Sequence, residues 1–150
     1  MRQKSEPDRG NIIMPTLKGS QTLDTLKNAF ASEAHANRRY LYFARQADIE
    51  VTLSSRGYFG ANQATLIEVA LKPVGDPVTN LPIGKTATNL ESAIFGETRE
   101  YTEVYPVMAK IAREEGFTEI ADWFERLAGA EKNHAVRFRQ GLKSINSLTV

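Results

Sequence analysis

The stretch Leu127-Ala128-Gly129-Ala130-Glu131-Lys132-Asn133-His134-Ala135-Val136-Arg137-Phe138 puts two polar groups where a helix should be apolar. At helical spacing Ile120, Phe124, Leu127, Glu131, His134, Phe138, Leu142 and Ile145 share one face, so a carboxylate and an imidazole interrupt a core stripe. A buried ionised carboxylate is costly unless it is paired or bound to a metal. Glu131 and His134 therefore call for partners from elsewhere in the chain.

Two segments offer them. Thr22 to about Glu50 reads as one long helix with Leu23, Leu26, Phe30, Glu33, Asn37, Tyr40, Ala44 and Ala47 on its stripe. Thr22 suits the N-cap and Asp24 the first-turn dipole. Arg38, Arg39 and Arg45 flank the stripe and are expected to face solvent or a partner subunit. His35, two residues from Glu33, turns away from that face and is expected at the surface. Further on, Thr88-Asn89-Leu90-Glu91 has the form of a capping box. The helix it opens runs to about Glu115, with Leu90, Ile94, Glu97, Tyr101, Val104, Met108 and Ile111 on its stripe and Glu100 one turn from Glu97. Pro106 removes one backbone bond and predicts a local kink. Gly116 ends this helix, and the last one, Glu119–Ile145, starts near Thr118 as its antiparallel neighbour.

The remaining segments are less regular. Val51–Leu71 supports only a weak helix from about Asn62 to Leu71. Pro73–Gly84, with three prolines and two glycines, is a long crossover. Met1–Ile13 is a polar, disordered lead-in with two open readings: an ordinary flexible tail, or upstream sequence before a true start at Met14.

Composition narrows the function classes. A chain of 150 residues with 41% hydrophobic content holds one domain with a sizeable core. The net charge of +1, with both signs interspersed, gives no footprint for nucleic acid. No apolar run approaches the roughly 18 residues of a membrane span. The absence of cysteine excludes disulfides, thiolate nucleophiles and iron–sulfur ligation, and fits a cytoplasmic location. Any metal must be held by carboxylate and imidazole, which suit iron, manganese or zinc.

Three long helices each carry a glutamate on the inner stripe, and one adds a histidine three residues later. Such inward carboxylates with a Glu-x-x-His are the ligand pattern of ferritin-like carboxylate bundles. The stretches Leu17-Lys18-Gly19-Ser20, Glu33-Ala34-His35-Ala36-Asn37-Arg38-Arg39-Tyr40, Gly75–Gly84, Gly96-Glu97-Thr98-Arg99-Glu100-Tyr101, Glu115-Gly116-Phe117 and Ala130–His134 together resemble a rubrerythrin of the single-domain kind, lacking the rubredoxin tail. The resemblance covers Met14–Glu50 and Val74–Leu142. It implies an all-α, ferritin-like four-helix bundle over residues 14–150, with the crossover between helices 2 and 3. It also implies a non-haem iron centre, with two irons expected, that reduces hydrogen peroxide with electrons from a separate redox protein. By position, Glu33, Glu97, Glu100, Glu131 and His134 match the family's iron ligands, and Tyr40 and Tyr105 match tyrosines that hydrogen-bond around the site, while the stripe argument alone reads both equally as core aromatics. The long crossover and the family's habits suggest a homodimer, with exchanged helices as one route to it.

One departure stands out. The family's second helix supplies another Glu-x-x-His, but this chain has no histidine between His35 and His134, and Glu68 is the single acid within Val51–Leu71. With one nucleotide restored before Val51, codons permitted for Val51–Gly60 also spell Gly-Tyr-Pro-Glu-Leu-Ala-Gly-Leu-Phe-Arg. Gly60–Ile67 continues in that frame as Gly-Glu-Ser-Gly-His-Leu-Asp, which contains the missing motif. Val51–Ile67 is thus expected to be a frameshifted helix two, leaving a degraded segment and a site short of one carboxylate and one imidazole. Besides the oxidoreductase, two alternatives stay open: a bundle that holds one metal or none without turnover, and a purely structural helical dimer.

Overall fold

A computed structural model describes residues 15–53 and 73–148. Among these residues every regular element is helical: α1 (Gln21–Leu53), α2 (Thr86–Arg99), a π-helical turn (Glu100–Val104), α3 (Tyr105–Glu114) and α4 (Thr118–Leu148). The lead-in Met1–Ile13, the weak helix over Asn62–Leu71 and all of the frameshifted stretch beyond Leu53 lie outside the described residues.

The helix starts differ from the sequence reading. Ser20, rather than Thr22, caps α1: its Oγ accepts the Leu23 N–H at 3.1 Å. Thr22 is buried, and its hydroxyl donates at 2.6 Å to the Glu115 carboxylate, which also accepts the N–H groups of Gln21 and Thr22 at 2.9 and 2.7 Å. A carboxylate from the α3–α4 turn thus satisfies the N-terminus of α1, and the Thr22 hydrogen bonds hold its carboxyl below the ordinary range. Replacing Glu115 with alanine is expected to lower the melting temperature by a few degrees, with glutamine recovering part of the loss; circular dichroism checks this. The Thr88 capping box does not form. Instead α2 begins at Thr86, whose N–H donates to the Glu50 carboxylate at 3.1 and 3.2 Å, while Asn89 turns back to accept the Gly84 N–H at 2.8 Å.

The π turn changes which residues face inward. An extra residue in one turn makes later positions lag by about 100°. The expected stripe of Val104, Met108 and Ile111 is replaced at the buried face by Tyr105, Ala109 and Ala112, each one position later. Pro106 lies in the first turn of α3, directly after the π segment. The helix then ends in a glycine cap: Gly116 has φ 84°, and the Phe117 N–H reaches back to the Ala112 carbonyl at 2.8 Å.

On α1 the buried face is also displaced. Ala29, Ala36, Arg39, Tyr42, Phe43 and Gln46 are buried, while Phe30, placed inside by the sequence stripe, is 79% exposed and Asn37 and Ala44 face out. Small residues explain the choice, because Ala29, Ala109, Ala112 and Ala121 meet in one cluster and let the helix backbones approach closely.

Two apolar clusters bracket a polar layer. Ala29, Tyr105 and Phe124 join the first, with Leu26, Met108 and Leu127 against it. Phe43, Ala93 and Ile83 join the second, with Tyr40 and Phe138 against it. Between them along all three helices lie Glu33, Glu97 with Glu100, and Glu131. This order requires α1 and α4 to run together, opposite to α2 and α3.

The crossover is stitched to both neighbours. Arg39, expected at the surface, is 4% exposed, and its Nε donates to Asp76 Oδ2 at 2.8 Å. Asp76 Oδ1 accepts the Val78 and Thr79 N–H groups at 2.7 and 3.0 Å. Burial alone would raise the Asp76 carboxyl, but the hydrogen bonds from Val78 and Arg39 outweigh it and hold the group below its ordinary value. Thr79 and Ser92 share a hydroxyl hydrogen bond of 2.6 Å, fixing the loop to α2. Gly75 is required here, since it has φ 114° and a Cβ would lie 3.1 Å from the carbonyl oxygens of Asn80 and Leu81.

Candidate metal centre

Glu97 from α2 and Glu131 from α4 are 2% and 3% exposed, so both carboxylates are inside the bundle as the stripes required. His134, one turn along α4, is at the rim and half exposed. Its Nδ1 lies 2.6 Å from Glu131 Oε2 and 3.3 Å from Glu97 Oε2. One ligand atom from each of the three residues fits within a mutual span of 4.8 Å. Atoms bound about 2 Å from a common ion lie at comparable separations.

Each tyrosine orients one carboxylate. Tyr40, packed on Phe138 and Phe43 in the second cluster, donates its hydroxyl to Glu97 Oε1. Tyr105, fully buried in the first cluster, donates to Glu33 Oε1. Burial raises both phenols, and the carboxylates they face raise them further, so both remain protonated donors. Glu100 accepts from Ser32 Oγ at 3.2 Å. Glu33 is the exception to the stripe reading, because it is exposed rather than buried, with Tyr105 donating to its Oε1. The structure thus brings Glu97, Glu131 and His134 into one group, with Glu33 and Glu100 beside it.

The carboxylates repel one another. Burial, then the charges of Glu97 and Glu33, push the Glu100 carboxyl up to about 7. Burial and the neighbouring Glu97 likewise raise Glu131. Among the described residues, buried Glu97 Oε2 has no hydrogen-bond donor. A proton on Glu131 would satisfy it, and so would a cation. With oxygen and imidazole donors and one buried oxygen that has no partner among the described residues, the group fits a divalent ion of the iron, manganese or zinc kind.

This has a pH consequence. Carboxyls raised by folding stabilise the metal-free protein below the ordinary value of 4.5, and that stability is lost as pH rises through about 7. Allowing for solvent screening, Glu100 contributes about 2 kcal/mol, or roughly 5–8 °C in melting temperature. Calorimetry in chelator should show that fall between pH 5 and pH 8. With metal bound the trend should vanish or reverse.

The sequence reading did not find the Arg39–Asp76 pair, which packs against Gly96: a Cβ there would lie 3.7 Å from Arg39 Nη2. Its signal was an acid inside an otherwise uncharged crossover, in an Asp-Pro turn start. His35 is exposed, as expected.

The sequence model of the family described as Rubrerythrin matches residues 59–142. The chain is 37% identical over 148 residues to the rubrerythrin of Nitratidesulfovibrio vulgaris, covering 88% of this chain and 74% of that one. The chain belongs to the rubrerythrin family. Rubrerythrin-1 of Clostridium acetobutylicum is 34% identical, with 88% of this chain and 75% of the relative covered. The rubrerythrin of Porphyromonas gingivalis is also 34% identical, covering 82% and 66%. The all-helical fold is that of the ferritin-like rubrerythrin domain. No helix among the described residues is long and apolar enough to cross a membrane.

Proposed function

We propose that the chain is a non-haem di-iron oxidoreductase of the rubrerythrin type that reduces hydrogen peroxide with electrons from a separate redox protein. The observation that carries this is buried Glu97 Oε2, without a donor among the described residues and facing Glu131 and His134. Glu97, Glu131 and His134 would hold one iron, and Glu33 and Glu100 would serve the second position. Bound iron would supply two reducing equivalents and open positions for peroxide. Tyr40 fixes Glu97 through Oε1, which leaves Oε2 aimed into the group. Tyr105 likewise fixes Glu33, and both phenols stay un-ionised with their single O–H protons held on these carboxylates.

Anaerobic loading with ferrous iron, metal analysis and stopped-flow addition of peroxide test the reading. Two irons per chain and rapid reoxidation are expected. One iron or none, with slow reoxidation, would favour the second reading, a metal-binding bundle without turnover. The lone histidine after His35 speaks for that alternative, since His134 is then the one imidazole available. A homodimer, tested by light scattering, accompanies the leading proposal.

A further inference from the structure

A line of rings leads from the acid layer to solvent, and what it means rests on the redox reading above. Tyr105, buried, donates to Glu33. Its ring stacks on buried Phe124, with centroids 6.2 Å apart and planes 20° from parallel. Phe124 meets Trp123 at 5.1 Å between centroids, and Trp123 is 43% exposed. Successive residues on α4 point about 100° apart, so Phe124 enters the core while Trp123 reaches the surface. Trp123 is the single tryptophan of the chain. Two oxidisable side chains are therefore joined by one aromatic spacer, with a carboxylate hydrogen-bonded to the inner one.

We infer that Trp123, Phe124 and Tyr105 form a path by which single electrons enter the acid layer from the protein surface. It serves when peroxide oxidises the site faster than the redox partner supplies electrons. The oxidised site draws one electron from the Tyr105 phenol, whose proton passes to Glu33 Oε1. The Tyr105 radical then takes one electron from Trp123 across Phe124 and recovers its proton from Glu33. Trp123 releases its indole proton to water and is restored by one electron and one proton from an external thiol or ascorbate. Each peroxide consumes two electrons and two protons to give two waters, so two passages complete a turnover. Core packing accounts for Phe124 and Tyr105, but packing alone does not require an oxidisable ring at the half-exposed end.

The path can be tested on the metal-free full-length chain, which keeps the result independent of whether peroxide chemistry occurs. A flash-generated ruthenium(III) bipyridyl oxidant removes an electron from Trp123, and transient absorption follows the indole radical. In this test the electron moves from Tyr105 outward, against the proposed flow, and reports the coupling. Ascorbate added to the sample should then quench the buried Tyr105 phenoxyl through half-exposed Trp123, restoring the inward flow, and a phenoxyl that outlasts ascorbate would overturn the inference. The indole radical should convert to a phenoxyl radical at a rate independent of protein concentration. Tyr105→Phe should lower the phenoxyl yield several-fold, and Trp123→Phe should abolish the indole signal and the Tyr105 phenoxyl together. An indole radical that decays without phenoxyl formation, or an unchanged phenoxyl yield in Tyr105→Phe, would overturn the inference. Should the path hold while iron-loaded protein ignores peroxide, the redox reading alone is lost.

Discussion

Glu97→Gln is expected to weaken divalent metal binding by more than about 100-fold, beyond the range seen for outer partners, while raising the melting temperature of the metal-free protein at pH 8. Both effects have one cause. Glu97 is buried with an oxygen that has no donor among the described residues, and its charge helps to raise Glu100 and Glu131. The amide keeps the volume and the acceptor for Tyr40, and its NH₂ can donate to Glu131, so repulsion and the orphaned oxygen are both removed. A cation loses a charged ligand by the same change. Manganese titration and calorimetry in chelator measure the two effects. A variant that lost metal and stability together would mean that Glu97 is a structural carboxylate, and the metal centre would have to be sought elsewhere.

Arg39→Met should cost about 3–5 kcal/mol, because it leaves Asp76 ionised in a buried position with its guanidinium partner gone. In a chain of this length that lowers the melting temperature by roughly 10–15 °C. The pair is dry on both sides, with side chains 5% and 0% exposed, so solvent cannot replace the lost partner. Adding Asp76→Asn should recover most of the loss, since the amide oxygen can still accept from Val78 and Thr79 and no charge is left stranded. A double variant as unstable as the single one would show that packing of Arg39 over the Tyr40 and Phe43 rings, 5.5 and 5.9 Å from its Cζ, matters more than its charge.

Both predictions concern residues that differ in how visible they are from sequence. Glu131 and Glu97 are legible because acid at an apolar helical position is expensive and so marks itself. Helix ends were partly legible: Gly116 announces its cap, whereas Glu115 and Glu50 cap helices that are distant in sequence. No local pattern records such a partner. The α1 stripe was misjudged by about one position, because alanines fit either a close helix contact or an outer face, and Phe30 was given the inside on hydrophobicity alone. The π turn was invisible because periodicity assumes a constant residue count per turn. Pro106 marked the place of the irregularity but not its kind.

Proline there also limits how the helix could repair itself. In a continuous α-helix, residue 106 would donate its N–H to the carbonyl four positions back, and proline has no hydrogen to give. Shedding the extra residue would therefore gain no bond at that point, while rotating Tyr105, Ala109 and Ala112 away from the core they now fill. The two halves of the long helix are in effect separate gears on one shaft: each can wind by itself, but their phase is set only when both engage α4. Deleting one residue from Tyr101–Val104 would leave every side chain of the acid layer present and the mesh between Glu97 and Tyr105 out of step.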